Sequence, residues 1–395
     1  LTAGTGNLSE DGWNAFASID VGKSDGIRVS DRRNRDWIGT GDLRRWGYSA
    51  GGSQFLGGSI TGNGSGGGNS PTGSIFNPTT GLLESLPGCS GLSSVAPQDP
   101  GGGCLWDMAD YRDLSPEEKY VNVFGRATFA FNDSAEAYVE MGYSKKETTF
   151  NNTPSNVSGA WGYPGGPVNA NSAPGATVLA VGHPDNPYGE PVRVRYNAFD
   201  VGPRVTNNDN EFIRFLAGVK GTWGEWSYDT GYLHSSTNLV NKRDGFLRYS
   251  AVQCVLGNLA CPAGVWNIGA GSEGNPQSLY DYISPTIQAT AKSSLDMFDF
   301  KVNRSLMDLA GGPLGLALGT EWRRTTNSLS PQTYTDTGDI IGLGFSSYDG
   351  TQNVYAAYAE LAAPVLESLE LTAAARYDKY ESGDDSVTPK VGFKW

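Results

Sequence analysis

The chain has 395 residues, and its 42 acidic against 29 basic side chains give a formal net charge of −13. That balance argues against a nucleic-acid partner, which needs a basic face to neutralise phosphates. Only 38% of the residues are apolar and 54 are glycine, too few apolar groups for a typical soluble globule of this size; the 11% aromatic content is too high for a disordered chain. No stretch approaches the ~18 consecutive apolar residues of a membrane-spanning helix. A transmembrane barrel strand, with about ten residues of alternating character, would leave no such hydropathy peak.

In chain order, the sequence opens at Leu1 in mid-segment, with no initiator Met and no signal peptide, which reads as a fragment or a processed chain. Trp13 to Val21 is the first alternating strand. A polar, Gly-rich stretch follows at about 23–119, and then Val121 to Tyr143 alternates, pauses at Asn132-Asp133-Ser134 and alternates again. A second long stretch, about 151–210, leads to the hairpin Glu211–Gly221 and Trp226–Asn238, with a turn at 223–225. A third, about 241–294, precedes Leu295–Ser305 and Leu314–Thr326, joined across 306–313. The fourth, about 328–351, precedes Asn353–Leu361 and Leu369–Tyr380, joined across 363–368, with one further strand from Val387.

That makes about ten strands of ~10–15 residues, above the usual mode of ~5–6. Connections alternate between long and tight, so all the long ones emerge from one end of the sheet. Long outer loops with short turns at the opposite end is the layout of an outer-membrane β-barrel. A bilayer also explains the composition, because each strand then needs only one apolar face and a closed sheet leaves no backbone group unpaired in lipid. Trp13, Trp226, Trp322, Tyr143 and Tyr377 fit an aromatic girdle. The expected fold is therefore all-β: an antiparallel transmembrane β-barrel, partial, with long extracellular loops and no plug domain in residues 1–395. A soluble sandwich is the alternative.

The four cysteines fall as two close pairs, Cys89 with Cys104 and Cys254 with Cys261. Paired spacing in polar loops points to two local disulfides and an oxidising compartment. Zinc is the competing reading, but neither pair has a CxxC spacing and neither His183 nor His234 completes a ligand pattern. Catalysis finds little support: His234 beside Ser235-Ser236 reads as a rim residue, and no GxSxG stands nearby. The Gly51–Gly68 run lacks the GK[ST] ending of a phosphate loop, so no cofactor is expected. The acidic runs Tyr334–Asp339 and Ser382–Asp385 match no EF-hand spacing and read as solvated loop residues. Arg126, Arg214, Arg323 and Arg376 fall on the polar faces of their strands, as does Glu321; they either line a substrate path or pair with a neighbouring carboxylate across the lumen, and the pairing is expected. Trp106, Tyr111, Trp161 and Tyr163, in long loops rich in aromatics and amides, are candidate ligand contacts or ordinary loop packing.

The segments YVNVFGRATFAFNDSAEAYVEMGYSKKET, GWNAFASIDVGKSDGIRVSDRR, the cysteine pair before LSPEEKYVNVFGR, and AFDVGPRVTNNDNEFIRFLAGVKGTWGEWSYDTGYLHS resemble barrel hairpins of TonB-dependent outer-membrane receptors; SVTPKVGFKW is similar to the strand such receptors place before the later part of the barrel. The resemblance implies part of a barrel, about ten of 22 strands, with plug and TonB-engaging box outside these residues. It also implies a receptor in the outer membrane of a Gram-negative cell. Such a receptor contacts membrane lipid, binds a scarce nutrient (siderophore, oligosaccharide or peptide) and works through TonB. A passive porin-like channel and a secreted glycan-binding β protein are the alternatives. As a truncated sheet with two open edges, the piece alone is expected to aggregate.

Overall fold

Period-two alternation places every second side chain on the same face of a strand, and hydrogen-bonded neighbours directly opposite share that face. A computed structural model, which describes residues 1–32, 74–86, 111–157, 177–269 and 272–395, turns this alternation into one antiparallel sheet of eleven strands among the described residues. In chain and spatial order these are β1 (Thr2–Thr5), β2 (Trp13–Ser24), β3 (Glu117–Asn132), β4 (Ala135–Asn152), β5 (Arg204–Trp223) and β6 (Trp226–Asp244). The order continues with β7 (Ile287–Leu309), β8 (Gly312–Leu329), β9 (Tyr348–Leu366), β10 (Leu369–Tyr380) and β11 (Asp385–Lys394). No strand pairs β1 with β11, so the sheet is a partial barrel wall. None of the described helices is long and apolar enough to cross a membrane.

Four connections at one end are two-residue turns: 133–134, 224–225, 310–311 and 367–368. At the first, the Asn132 side chain accepts the Ser134 amide at 2.8 Å; at the second, Gly224 supplies a φ of 60°. Strand β1 is an addition to the sequence reading, since TAGT has no apolar alternation; it pairs through its backbone with Ala15–Ser18. The strict alternation of long and short connections breaks once, where only Glu381–Asp384 join β10 to β11 at the long-connection end.

One face of the wall is apolar over a limited height. On β2 it runs through Trp13, Ala15, Ala17, Ile19 and Val21 and stops at Lys23; on β8 it runs through Leu314, Leu316, Leu318, Thr320 and Trp322 and stops at Arg324. Each run matches the ~9–11 residues that carry a tilted strand across a bilayer. Trp13, Tyr143, Trp226, Trp322 and Tyr377 all lie on this face by register. The strands then continue past the band, up to 23 residues in β7, with polar side chains on both faces. The long connections are correspondingly shorter than their polar composition suggested: 153–203, 245–286 and 330–347. Backbone pairing needs no apolar side chain, so a strand outruns its own hydrophobic signal.

The long connections are also far from structureless. Short strands Ser74–Phe76, Leu83–Ser85, Val178–Leu179 and Val192–Arg195 make a four-stranded sheet, and two helices form at Tyr249–Gly257 and Gln277–Ile283. Their side chains share one core, in which Leu179, Tyr196, Leu256, Trp266, Ile268 and Ile283 are fully buried. The connections thus form a folded cap.

Candidate functional site

The wall face opposite the apolar band carries charges, and the register brings them together. Arg126 and Arg214 sit on strands flanking β4 and donate to the two oxygens of Glu140, at 2.9 and 2.7 Å. A second cluster joins β8 to β10: Glu321 accepts from Arg323 at 3.1 Å and Arg376 at 3.3 Å, and Arg376 also holds Asp378 at 2.9 Å. Between them, Lys220 pairs with Glu136 at 2.7 Å and Lys301 with Asp229 at 3.4 Å, while the Tyr138 hydroxyl donates to Asp229 at 3.2 Å. Arg126, Arg214, Glu321, Arg323 and Arg376 thus occupy one face, each with an opposite charge beside it. The side chains are partly solvated, so each pair contributes up to about 1 kcal/mol. What they do together is brace neighbouring strands and leave a polar, nearly self-neutralised surface. Three tyrosines tighten the same face: Tyr120 covers Gly22, Tyr138 covers Gly218 and Tyr358 covers Gly319, and a Cβ on any of these glycines would run into the ring.

The cap's polar groups are fixed by burial. Asp200 accepts from the Trp266 indole N–H and the Tyr280 hydroxyl, both at 2.8 Å, and from the Tyr196 hydroxyl. Burial pushes Tyr280 up to about 12 and Tyr196 well above its ordinary range, and the neighbouring Asp200 carboxylate pushes in the same direction. His183 is wholly enclosed: its Nε2 donates to the Trp266 carbonyl at 3.1 Å, while its Nδ1 accepts the Asp185 amide at 3.1 Å. That arrangement holds the neutral ring, and burial lowers its pKa below the ordinary 6.5. Asp339 corrects the reading of its run as solvated: it is 8% exposed, pairs with Arg248 at 2.9 Å, and accepts the Ser250 amide at 2.7 Å. Arg248 in turn lies 4.4 Å from the ring centroid of Tyr334, a non-glycine residue held at φ 65°.

Cys254 and Cys261 form a disulfide, their Cα atoms 5.4 Å apart, closing the end of the helix Tyr249–Gly257 onto the cap core. Cys89, Cys104, Trp106, Trp161 and Tyr163 lie outside the described residues. Tyr111 meets Phe199 edge-on at 6.2 Å, a packing contact within the cap. His234 lies on the apolar face, near the top of the band, with Nδ1 2.7 Å from Asp296; no serine in that contact offers a nucleophile–base pair. Among the described residues no group of three or more His, Cys, Asp or Glu is placed to hold a metal ion. The residues that sequence reasoning missed are His183, Asp200, Phe246 and Asp339 of the cap, and Arg204 and Arg243 at the cap end of strands β5 and β6. All of them fall in stretches whose polar composition reads as long connections, and nothing in their local pattern singles them out.

The family described as TonB dependent receptor-like, beta-barrel, matches residues 142–395. No curated protein matches the chain. Among solved structures, a ferric enterobactin receptor from Pseudomonas aeruginosa is 13% identical, with a TM-score of 0.45, over 97% of this chain and 36% of its own. A Pseudomonas aeruginosa ferripyoverdine receptor is 11% identical, with a TM-score of 0.38, over 70% of this chain and 33% of its own. The siderophore receptor PirA from Acinetobacter baumannii is 14% identical, with a TM-score of 0.37, over 71% of this chain and 31% of its own. The chain therefore spans about a third of the length of these receptors.

Proposed function

The chain belongs to the TonB-dependent receptor-like β-barrel family, and on that premise we propose that it is the part of an energy-coupled outer-membrane receptor that first meets its nutrient. Its place is the outer membrane of a Gram-negative cell, and the apolar band is the surface that lipid wets. The family is one of receptors and transporters, and the chain is read as having no catalytic role. All 395 residues form one barrel portion with its outer loops, and the cap faces the medium. The nutrient belongs to the siderophore, oligosaccharide or peptide classes, and import draws on TonB through parts of the protein beyond this wall.

The observation that carries the reading is the pairing of a charged, braced inner face with a folded cap at one end only. A simple pore has no need of a cap with its own hydrophobic core and disulfide. The cap gives the wall a pre-formed recognition surface whose shape does not depend on the membrane.

Uptake in a strain lacking the gene tests this, with iron-loaded siderophores, oligosaccharides and peptides supplied in turn, with and without a protonophore. Loss of uptake of one class in the deletion strain, and in the parent on adding protonophore, is the expected result. Uptake through the protein that persists without proton-motive force would make it a passive channel. Unchanged uptake of all three classes in the deletion strain would sink the receptor reading.

A further inference from the structure

Arginines nearer the middle of the wall are neutralised by carboxylates, whereas two at its cap end are not. Arg204 stands opposite Asn152 and Arg243 opposite Thr206, on the same face as Arg214. Neither forms an ion pair among the described residues. Both guanidinium groups face the ring of Phe246, their Cζ atoms 5.5 and 5.7 Å from its centroid. Phe246 is 6% exposed, so the two cations share a largely dry neighbour.

The donors of these arginines are only partly used. Arg204 spends Nε on the Thr153 carbonyl at 2.8 Å and Nη2 on the Thr153 hydroxyl at 3.2 Å, which leaves Nη1 unengaged among the described residues. The Nε of Arg243 is buried with no hydrogen-bond partner among the described residues. Beside Arg204 opens a cavity of about 270 Å³, with Arg112, Phe150, Thr206 and Phe246 also in its lining; Arg243 stands outside that lining and meets it through the shared Phe246 ring. Asp113 lines it too, but its Oδ2 is engaged by the Asn151 amide at 2.7 Å and the Asn151 side chain at 3.0 Å.

Two like charges withdrawn from water without a counter-ion are costly, and a buried donor without an acceptor adds to that cost. An anion relieves both. The guanidinium fork matches the paired oxygens of a carboxylate or phosphate, and a ring that stacks on its plane leaves the donor edge free. Register places Phe150, Asn152, Arg204 and Thr206 of this lining on the charged face, opposite the side that meets lipid.

The geometry points to an oxyanion site at the cap end of the wall, where Arg204 and Arg243 hold a carboxylate- or phosphate-bearing ligand against Phe246. The inference rests on the nutrient-receptor reading and narrows it: among the candidate classes, the nutrient is one that carries an anionic group. A neutral oligosaccharide offers hydroxyl acceptors but no charge to offset the two guanidinium groups.

Equilibrium dialysis with labelled pyrophosphate tests the site on the full-length protein in lipid-free micelles. The parent should bind saturably and lose affinity as salt rises. Arg204→Gln and Arg243→Gln should each weaken binding about tenfold or more, as loss of a charge-assisted contact does. Arg304→Gln, at the other end and on the apolar face, should leave it unchanged, and Arg204→Lys should retain part of it while reporting that the pocket still folds. No saturable binding by the parent, or equal weakening by Arg304→Gln, would overturn the proposal. Dialysis requires no transport, so a protein that imports nothing would still reveal the site. Conversely, an anionic nutrient imported normally by both pocket variants would remove the pocket from the route and leave the receptor reading standing.

Discussion

The wall and the cap are stabilised by different physics, although one chain builds both. In the wall, long strands pair along most of their length and almost no large side chain is fully buried; Val391 and Phe393 on the last strand are 85% and 78% exposed to whatever surrounds the sheet. Its stability comes from backbone pairing, the braces of the charged face and the transfer of the apolar band into lipid. The cap is a small globular domain in water, with a core built around Trp266, Tyr196 and Leu256. A membrane supplies the hydrophobic environment for one region, and the protein must build its own for the other. Perturbations should therefore separate the two.

The largest separation is expected from Trp266→Ala. Removing a fully buried indole that also donates to Asp200 should cost the cap roughly 3–5 kcal/mol, while strand register in the wall persists. Amide exchange resolved by segment checks this: fast exchange across 245–286 with protected strands β5 and β6 is the expected pattern, and uniform loosening would show that the two regions fold as one.

Reduction of Cys254–Cys261 comes next. Closing so short a loop is worth about 2–3 kcal/mol on chain-entropy grounds, so the reduced protein should lose protease resistance around the helix Tyr249–Gly257 first. Labelling under denaturing, non-reducing conditions should find neither of these two thiols free.

The wall has its own weak point in Gly218. A methyl group there collides with the Tyr138 ring and, less severely, with the Thr230 carbonyl, so Gly218→Ala should destabilise the wall by about 1–3 kcal/mol and leave the cap intact. Adding Tyr138→Ala should recover part of that loss in a thermal melt; no recovery would mean that the strand backbone is the true obstacle.

The smallest effect is set by pH. Because burial depresses the folded-state pKa of His183 below its ordinary 6.5, the unfolded cap binds more protons in the window beneath that value. Stability from the neutral ring is present above pH 6.5 and is lost as the pH falls through the folded pKa. Cap unfolding followed by near-ultraviolet circular dichroism should show this loss, and His183→Gln should flatten it.

Much of the wall is legible in the sequence because its signal is local. In Trp13–Val21 or Leu369–Tyr377 a few residues state both the strand and its two faces, and the two-residue turns follow from Asn132-Asp133-Ser134 and Trp223-Gly224-Glu225. Arg126, Arg214, Glu321, Arg323 and Arg376 were assignable to the polar face by parity alone. Which carboxylate each meets depends on register between strands tens of residues apart: Glu140 reaches Arg214 across 74 positions of chain.

The cap is different. Ile75, Val157, Leu179, Trp266 and Ile341 lie in short apolar runs or singly, in separate connections rich in glycine, asparagine and proline, and no window along the chain gathers them. Composition and alternation by themselves determined a membrane barrel wall with long connections at one end, because lipid selects for a pattern that repeats within each strand. The packed cap, the burial of His183 and Asp339 and the convergence of Arg204 and Arg243 on Phe246 were decided only by the tertiary structure. A core assembled from distant segments has no period in the sequence, and a counter-charge is found or missed only once the neighbours are in place.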